Sequence, residues 1–192
     1  MKKWLFIFPL LVVMILLVIL SGYRFSALSA AKSNAFLPAD AELLEQHDIG
    51  SSVIFIFKSD KEKKYRTVLA EKKGIFYRSR ISTFTPYSSD ILQTFGGISY
   101  TTKNDAVSMF SIISYEEEVA YIEAGVEPNR ERKEIRIGEP ITFIFSFSKQ
   151  IDHLNPVATN KDGEELYYFG EPENATYTNL NEDIRWHKIS GQ

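Results

Sequence analysis

The chain has no cysteine. That excludes disulfide-built secreted modules, Cys-ligated zinc ribbons, thiol nucleophiles and a lipid attached through a lipoprotein-type cysteine. Histidine is scarce: His47, His153 and His187 are the three, and no two are spaced as an H-x-x-x-H ligand pair. Asp48 and Asp152 adjoin the first two, but strand neighbours point to opposite faces, so Asp152 and His153 need not touch. There is no G-x-S-x-G elbow, and two S-x-x-K matches, Ser29–Lys32 and Ser146–Lys149, lack the companion S-D-N and K-T-G elements. Glu116-Glu117-Glu118 reads as a solvated turn, because three neighbouring carboxylates diverge while a hard cation needs converging oxygens. Asn160–Glu165 lacks the alternating ligand set of a calcium loop. No catalytic, cofactor or metal site is therefore expected.

What the chain does have is an uninterrupted apolar run. Trp4 to Leu20 is seventeen residues without a charge or strongly polar group. As a helix it would span about 25 Å, and about 30 Å if continued to Tyr23, the thickness of a bilayer's hydrocarbon core. Lys2 and Lys3 precede it, Arg24 follows, and Trp4 and Tyr23 sit at its ends, where amphipathic rings favour the headgroup level. Lys2, Lys3, Trp4, Tyr23 and Arg24 are thus the expected membrane-interface anchors. A cleaved signal peptide is the rival, with Ala27-Leu28-Ser29 or Ser29-Ala30-Ala31 as the cut. The run is long for that purpose, and Arg24 and Phe25 stand between it and either cut. The expected organisation is a cytoplasmic tail at 1–3, a transmembrane anchor at 4–23, a stalk at 24–35 and an extracytoplasmic domain at 36–192. The short basic end stays inside, and a tail of three residues leaves no room for a signalling domain.

Charge is segregated. Residues 58–80 hold nine basic groups (Lys58, Lys61, Lys63, Lys64, Arg66, Lys72, Lys73, Arg78 and Arg80) against three acids, a net of +6. Residues 81–192 hold nine basic and eighteen acidic groups, a net of −9. The basic segment is the candidate interface for a membrane surface or an anionic envelope polymer. Its competing explanation is solvated turns and pairing with the acidic half. No nucleic-acid recognition motif accompanies it. Asn174-Ala175-Thr176 is a glycosylation sequon, meaningful only in a eukaryotic secretory pathway.

After Tyr23 the pattern is mainly β: a β-sandwich or curled antiparallel sheet with one or two short helices. Pro38 to Gln46 reads as a helix stopped by Gly50. From Ser52, Val53, Phe55 and Phe57 alternate with Ile54 and Ile56, so both faces of a central strand are apolar. Tyr65–Glu71 and Ile75–Ile81 complete a three-stranded meander through Lys72-Lys73-Gly74. Ser88-Ser89-Asp90 could cap one helical turn through Phe95, stopped by Gly96-Gly97. Ile98–Thr102 is a short strand. Residues 105–115 fit strand or helix, and their Ile, Val, Phe and Tyr content favours strand. Val119–Ala124 is a strand closed by Gly125. Glu134–Ile137 and Ile141–Ser148 read as a hairpin through Gly138-Glu139-Pro140, with Phe143, Phe145 and Phe147 on one face. Pro156–Asn160 and Glu164–Phe169 pair across Lys161-Asp162-Gly163, where Asp-Gly signals a type I′ turn. Ile184–Ile189 is the last strand, with Trp186 inward.

The plan of anchor, short stalk and β-rich domain, with Tyr65-Arg66-Thr67-Val68, Glu71-Lys72-Lys73-Gly74 and Asn160-Lys161-Asp162-Gly163 before Leu166-Tyr167, resembles small single-pass membrane-anchored proteins of Gram-positive bacteria. The resemblance implies an envelope location and no particular activity. Three functional classes stand open: a non-catalytic module docking an envelope protein or polymer, a hydrolase or transferase with a site dispersed in sequence, and an inhibitor or self-protection protein binding an exported enzyme.

Overall fold

A strand that is apolar on both faces has to be covered on both. Ser52–Ser59 is such a strand, and Val53, Ile54, Phe55, Ile56 and Phe57 are all buried. The structure is a computed structural model that describes residues 8–10, 12, 13, 20–103, 105–172 and 184–189. From Tyr23 onward the described chain is mainly β, with thirteen strands and two short helical segments. Residues 8–10, 12, 13 and 20 are helical. Residues 4–7, 11 and 14–19 of the expected span lie outside the described residues, as do Lys2, Lys3 and the sequon at Asn174. No helix among the described residues is long and apolar enough to cross a membrane.

Two compact units divide the described chain. The first is Met1–Glu62 with Arg66–Ser82. Its elements are β1 (Tyr23–Arg24), α1 (Ala27–Lys32), β2 (Glu42–Ile49), β3 (Ser52–Ser59), β4 (Lys64–Lys73) and β5 (Phe76–Pro86), the last two continuing beyond it. Their sheet runs in the order β1-β5-β4-β3-β2, so the expected meander β3-β4-β5 forms its middle. Gly74 takes φ +65° at the β4–β5 tip while Ile75 does not, the sign pattern of a type II′ turn.

Helix α1 starts because Ser26 stands extended and its Oγ accepts the Ser29 amide at 3.2 Å. The Ser/Ala-rich stretch expected as a stalk is thus part of the fold. Ala30 and Ala31 are buried with Val53, Phe55, Phe57, Val68 and Ala70. Their small side chains let the helix backbone approach the sheet.

The helix expected over Pro38–Gln46 is instead strand β2, paired antiparallel with β3 from Glu42↔Lys58 to Ile49↔Ser52. Only isolated turn bonds precede it, such as Ala41 N–H to Pro38 O at 3.1 Å. Edge pairing to a strongly formed β3 outweighs the local helical preference of this Glu- and Leu-rich segment. Gly50, read as a helix stop, serves the β2–β3 turn at φ +56°.

The second unit is Lys63–Tyr65 with Thr83–Gln192. It contains β6 (Leu92–Thr101), β7 (Ala106–Ser114), β8 (Tyr121–Ala124), β9 (Glu131–Glu134), β10 (Ile141–Phe145), a 3₁₀ turn (Asp152–Leu154), β11 (Val157–Thr159), β12 (Glu165–Gly170) and β13 (Arg185–Lys188). One sheet runs β10-β7-β6, the other β13-β12-β11-β8-β9. A shared core of Phe110, Ile112, Ile122, Phe143, Phe145, Leu154, Ala158 and Trp186 joins them. Phe110 stacks on Phe143 at 5.1 Å, and Phe143, Phe145 and Phe147 continue along the expected face. Trp186 points inward as expected, and its indole N–H donates to Thr94 Oγ1 at 3.0 Å, linking the two sheets.

Three local expectations are corrected here. The helical turn over Ser88–Phe95 is absent: Leu92–Thr101 is β6, paired with β7, with a register shift between Thr94 and Gly96 that accommodates the glycines. That pairing also settles 105–115 as strand. The Gly138 hairpin does not form, because Glu131–Glu134 pairs with β8 while Ile141–Phe145 pairs with β7 in the other sheet. Phe143 and Phe145 are drawn to Phe110, whereas Glu134 stays at the surface and half-buried Lys133 holds its Nζ 4.8 Å from the Phe143 ring centroid. The β11–β12 hairpin does form, but Asp162 has no positive φ and Gly163 has φ +86°. This is a turn followed by a left-handed glycine, not type I′.

Two glycines in this unit differ in kind. A Cβ on Gly97 would meet Ile151 Cδ1 at 2.3 Å, the movable tip of a side chain. On Gly125, with φ +115°, it would meet the Asn129 carbonyl oxygen at 2.5 Å. We expect Gly125→Ala to cost about 2–4 kcal/mol and Gly97→Ala about 1 kcal/mol in denaturant unfolding. Equal costs would contradict the packing described.

Candidate functional site

The nine cations of 58–80 do not form one patch. In the first unit, Lys58 pairs with Asp60 at 3.1 Å and Arg66 with Glu62 at 3.3 Å, around the β3–β4 turn. That turn is fastened by Asp40, whose carboxylate accepts from Ser59 Oγ at 2.9 Å and from the Lys61 amide at 3.1 Å. The Lys61 amide bond is the main reason the Asp40 carboxyl titrates below the ordinary aspartate range, with Ser59 and the Lys61 charge adding to it. Lys73 lies at the opposite end of β4, about 23 Å from Arg66 along the strand, with Lys72 next to it and Arg78 on β5. Arg80 is exposed on β5. Lys63 and Lys64, in the second unit, lie over rings: Lys63 Nζ 5.9 Å from the Tyr87 centroid and Lys64 Nζ 4.8 Å from that of Phe84. Lys58 and Arg66 are thus engaged with acids of their own segment.

The β4–β5 tip is where cations and exposed apolar groups coincide. Strand β1 joins the sheet there, with Tyr23 opposite Arg78 and Arg24 opposite Tyr77. The Phe25 and Phe76 rings are 5.1 Å apart, Tyr23 and Phe76 meet edge-on at 6.2 Å, and the Arg78 guanidinium lies 5.0 Å from the Tyr23 ring. Phe25 and Ile75 remain 74 % and 75 % exposed. Lys72 and Lys73 are exposed beside them, Lys73 sharing its charge with Glu71 at 3.2 Å. Tyr23 and Arg24, expected as anchors at the end of a span, are therefore also the first strand of the sheet. Sequence reasoning missed Phe25, Ile75 and Phe76. The available signal was an Ile directly after Lys-Lys-Gly, where a turn ordinarily carries polar residues.

The remaining candidates are dispersed. Glu116 accepts from Tyr167 Oη at 3.0 Å, and no cluster of metal-ligating side chains occurs among the described residues. His47 meets Glu45 at 3.0 Å, and His153 does reach Asp152, at 3.6 Å, because a 3₁₀ turn and not a strand holds them. His187 stacks on Tyr168 at 5.3 Å. An open depression lined by Glu134, Arg136, Glu139, Pro140 and Ile141 gathers no histidine or hydroxyl nucleophile. No family model, curated protein or solved structure matches the chain.

Burial pushes the Tyr167 hydroxyl up to about 12 from 10, reinforced by the Glu116 hydrogen bond and the charges of Glu116 and Glu118. A pKa raised on folding stabilises the fold fully below the unfolded value of 10 and ceases to do so as pH rises through the folded value. In a phenolate absorbance titration, Tyr167→Phe should remove a component near pH 12. An unchanged high-pH limb would contradict the Tyr167–Glu116 contact.

Proposed function

We propose that this chain is a membrane-anchored, non-catalytic module of the cell envelope, its β domain outside the membrane and docking an envelope protein or an anionic polymer. The observation that carries the reading is the junction between the apolar run and the fold. Apolar sequence extends to Leu20, and ordered packing begins at Tyr23, with α1 buried against β3 within ten residues. An apolar segment joined so closely to a packed sheet suits a tether, because α1 supplies the cover for Val53, Phe55 and Phe57. Further support comes from the tip of β4–β5, where exposed aromatic, aliphatic and cationic groups gather on the element nearest that junction.

Reporter fusions after Gln192 test the topology. A reporter active only outside the cytoplasm should be active, and activity of a cytoplasm-only reporter would overturn the reading. Crosslinking in intact membranes should recover the chain with an envelope component. Recovery of the chain alone across crosslinker lengths would count against docking.

A further inference from the structure

The β4–β5 tip combines the two properties that an interfacial membrane contact requires: apolar side chains that project from the fold, and cations beside them. Phe25 and Ile75 supply the first, with half-buried Phe76 packed against Phe25. Lys72, Lys73, Arg24 and Arg78 supply the second, against Glu71 as the acid of that stretch. The aromatic stack is braced from within: Tyr23 contacts Phe76, and Arg78 lies over Tyr23, so the rings are held on a sheet and not on a loose linker. Phe25 is left mostly exposed beside Phe76.

Chain length limits where this tip can be. Leu20, the last residue of the apolar run, is five residues from Phe25, a reach of at most about 18 Å. The intervening Ser21-Gly22 turn, with Gly22 at φ +80°, shortens it further.

We propose that the β4–β5 tip seats in the headgroup layer of the bilayer entered by the apolar N-terminal segment. Phe25, Ile75 and Phe76 lie at the acyl boundary there, and Lys72, Lys73 and Arg78 lie against lipid phosphates. The proposal rests on the membrane-anchored reading above. It adds that the domain is held at two points and cannot swing freely on its tether. Lipid is the occupant favoured over a protein groove because the reach is short and the groups flanking the rings are cationic, complementary to anionic headgroups.

The absence of cysteine makes the test direct. Full-length chain carrying Ile75→Cys, Leu10→Cys or Asp162→Cys is labelled with an environment-sensitive fluorophore and reconstituted into vesicles of phosphatidylglycerol and phosphatidylcholine. The label at 75 should show blue-shifted emission and lose iodide quenching relative to the label at 162, while the label at 10 is fully shielded. Lys72→Glu with Lys73→Glu should restore iodide access at 75 without changing the label at 10. A label at 75 as open to iodide as that at 162, with 10 shielded, overturns the tip contact and leaves the anchor standing. A label at 10 open to iodide overturns the anchored reading itself, and the tip proposal with it.

Discussion

Strand β3 carries apolar side chains on both faces, and the first unit is arranged around that fact. Fully burying each Val, Ile or Phe stabilises by about 1.5–3 kcal/mol. Five such side chains contribute on the scale of a whole domain's net stability. Leaving either face open would forfeit much of that. Val53, Phe55 and Phe57 are covered on their face by α1, whose Ala30 and Ala31 offer small, closely approaching surfaces. The consequence reaches toward the N-terminus. Because α1 is needed as a cover, the residues just after the apolar run are committed to the fold and cannot serve as a free spacer. Asn34 continues the same fastening, its Nδ2 donating to Ser79 Oγ at 3.0 Å.

The second unit solves its packing differently. Its two sheets share the Phe110–Phe143–Phe145 stack, and buried hydroxyls provide the polar links. Ser108, fully buried on β7, lies within hydrogen-bond distance of the carbonyls of Phe147 (3.0 Å) and Lys149 (2.7 Å) and accepts from the Lys149 amide. It thereby fixes the chain leaving β10. Trp186 to Thr94 does the same between sheets. The Ser108 hydroxyl and the Trp186 indole N–H are partnered, so their desolvation is offset.

Patterns of period two could be read directly. Both apolar faces of Ser52–Ser59, the Phe143–Phe147 row and inward Trp186 were each visible because alternation reports burial without reference to partners. Segments whose state depends on a distant partner could not be read. Glu42–Ile49 has helix-favouring composition and becomes a strand only because β3 offers an edge. Gly96-Gly97 looks like a helix stop, and is instead a point where Ile151 approaches the backbone. Proximity in sequence favours pairing Ile141–Phe145 with Glu134–Ile137, while the aromatic core pulls it to β7. The basic segment was visible as composition. Its division between the two ends of β4, and the company its far end keeps with Phe25 and Ile75, depend on strand β1 returning to the sheet edge.

Ordered packing follows within a few residues of the apolar run, at β1 and α1. Hydrogen exchange of the full-length chain in membranes tests it most directly. The amides of Ala30, Ser33 and Asn34, bonded to Ser26, Ser29 and Ala31 carbonyls at 3.0–3.1 Å, should exchange on the slow timescale of β3. Exchange of those amides at the rate of an unstructured linker, with β3 still protected, would contradict the account.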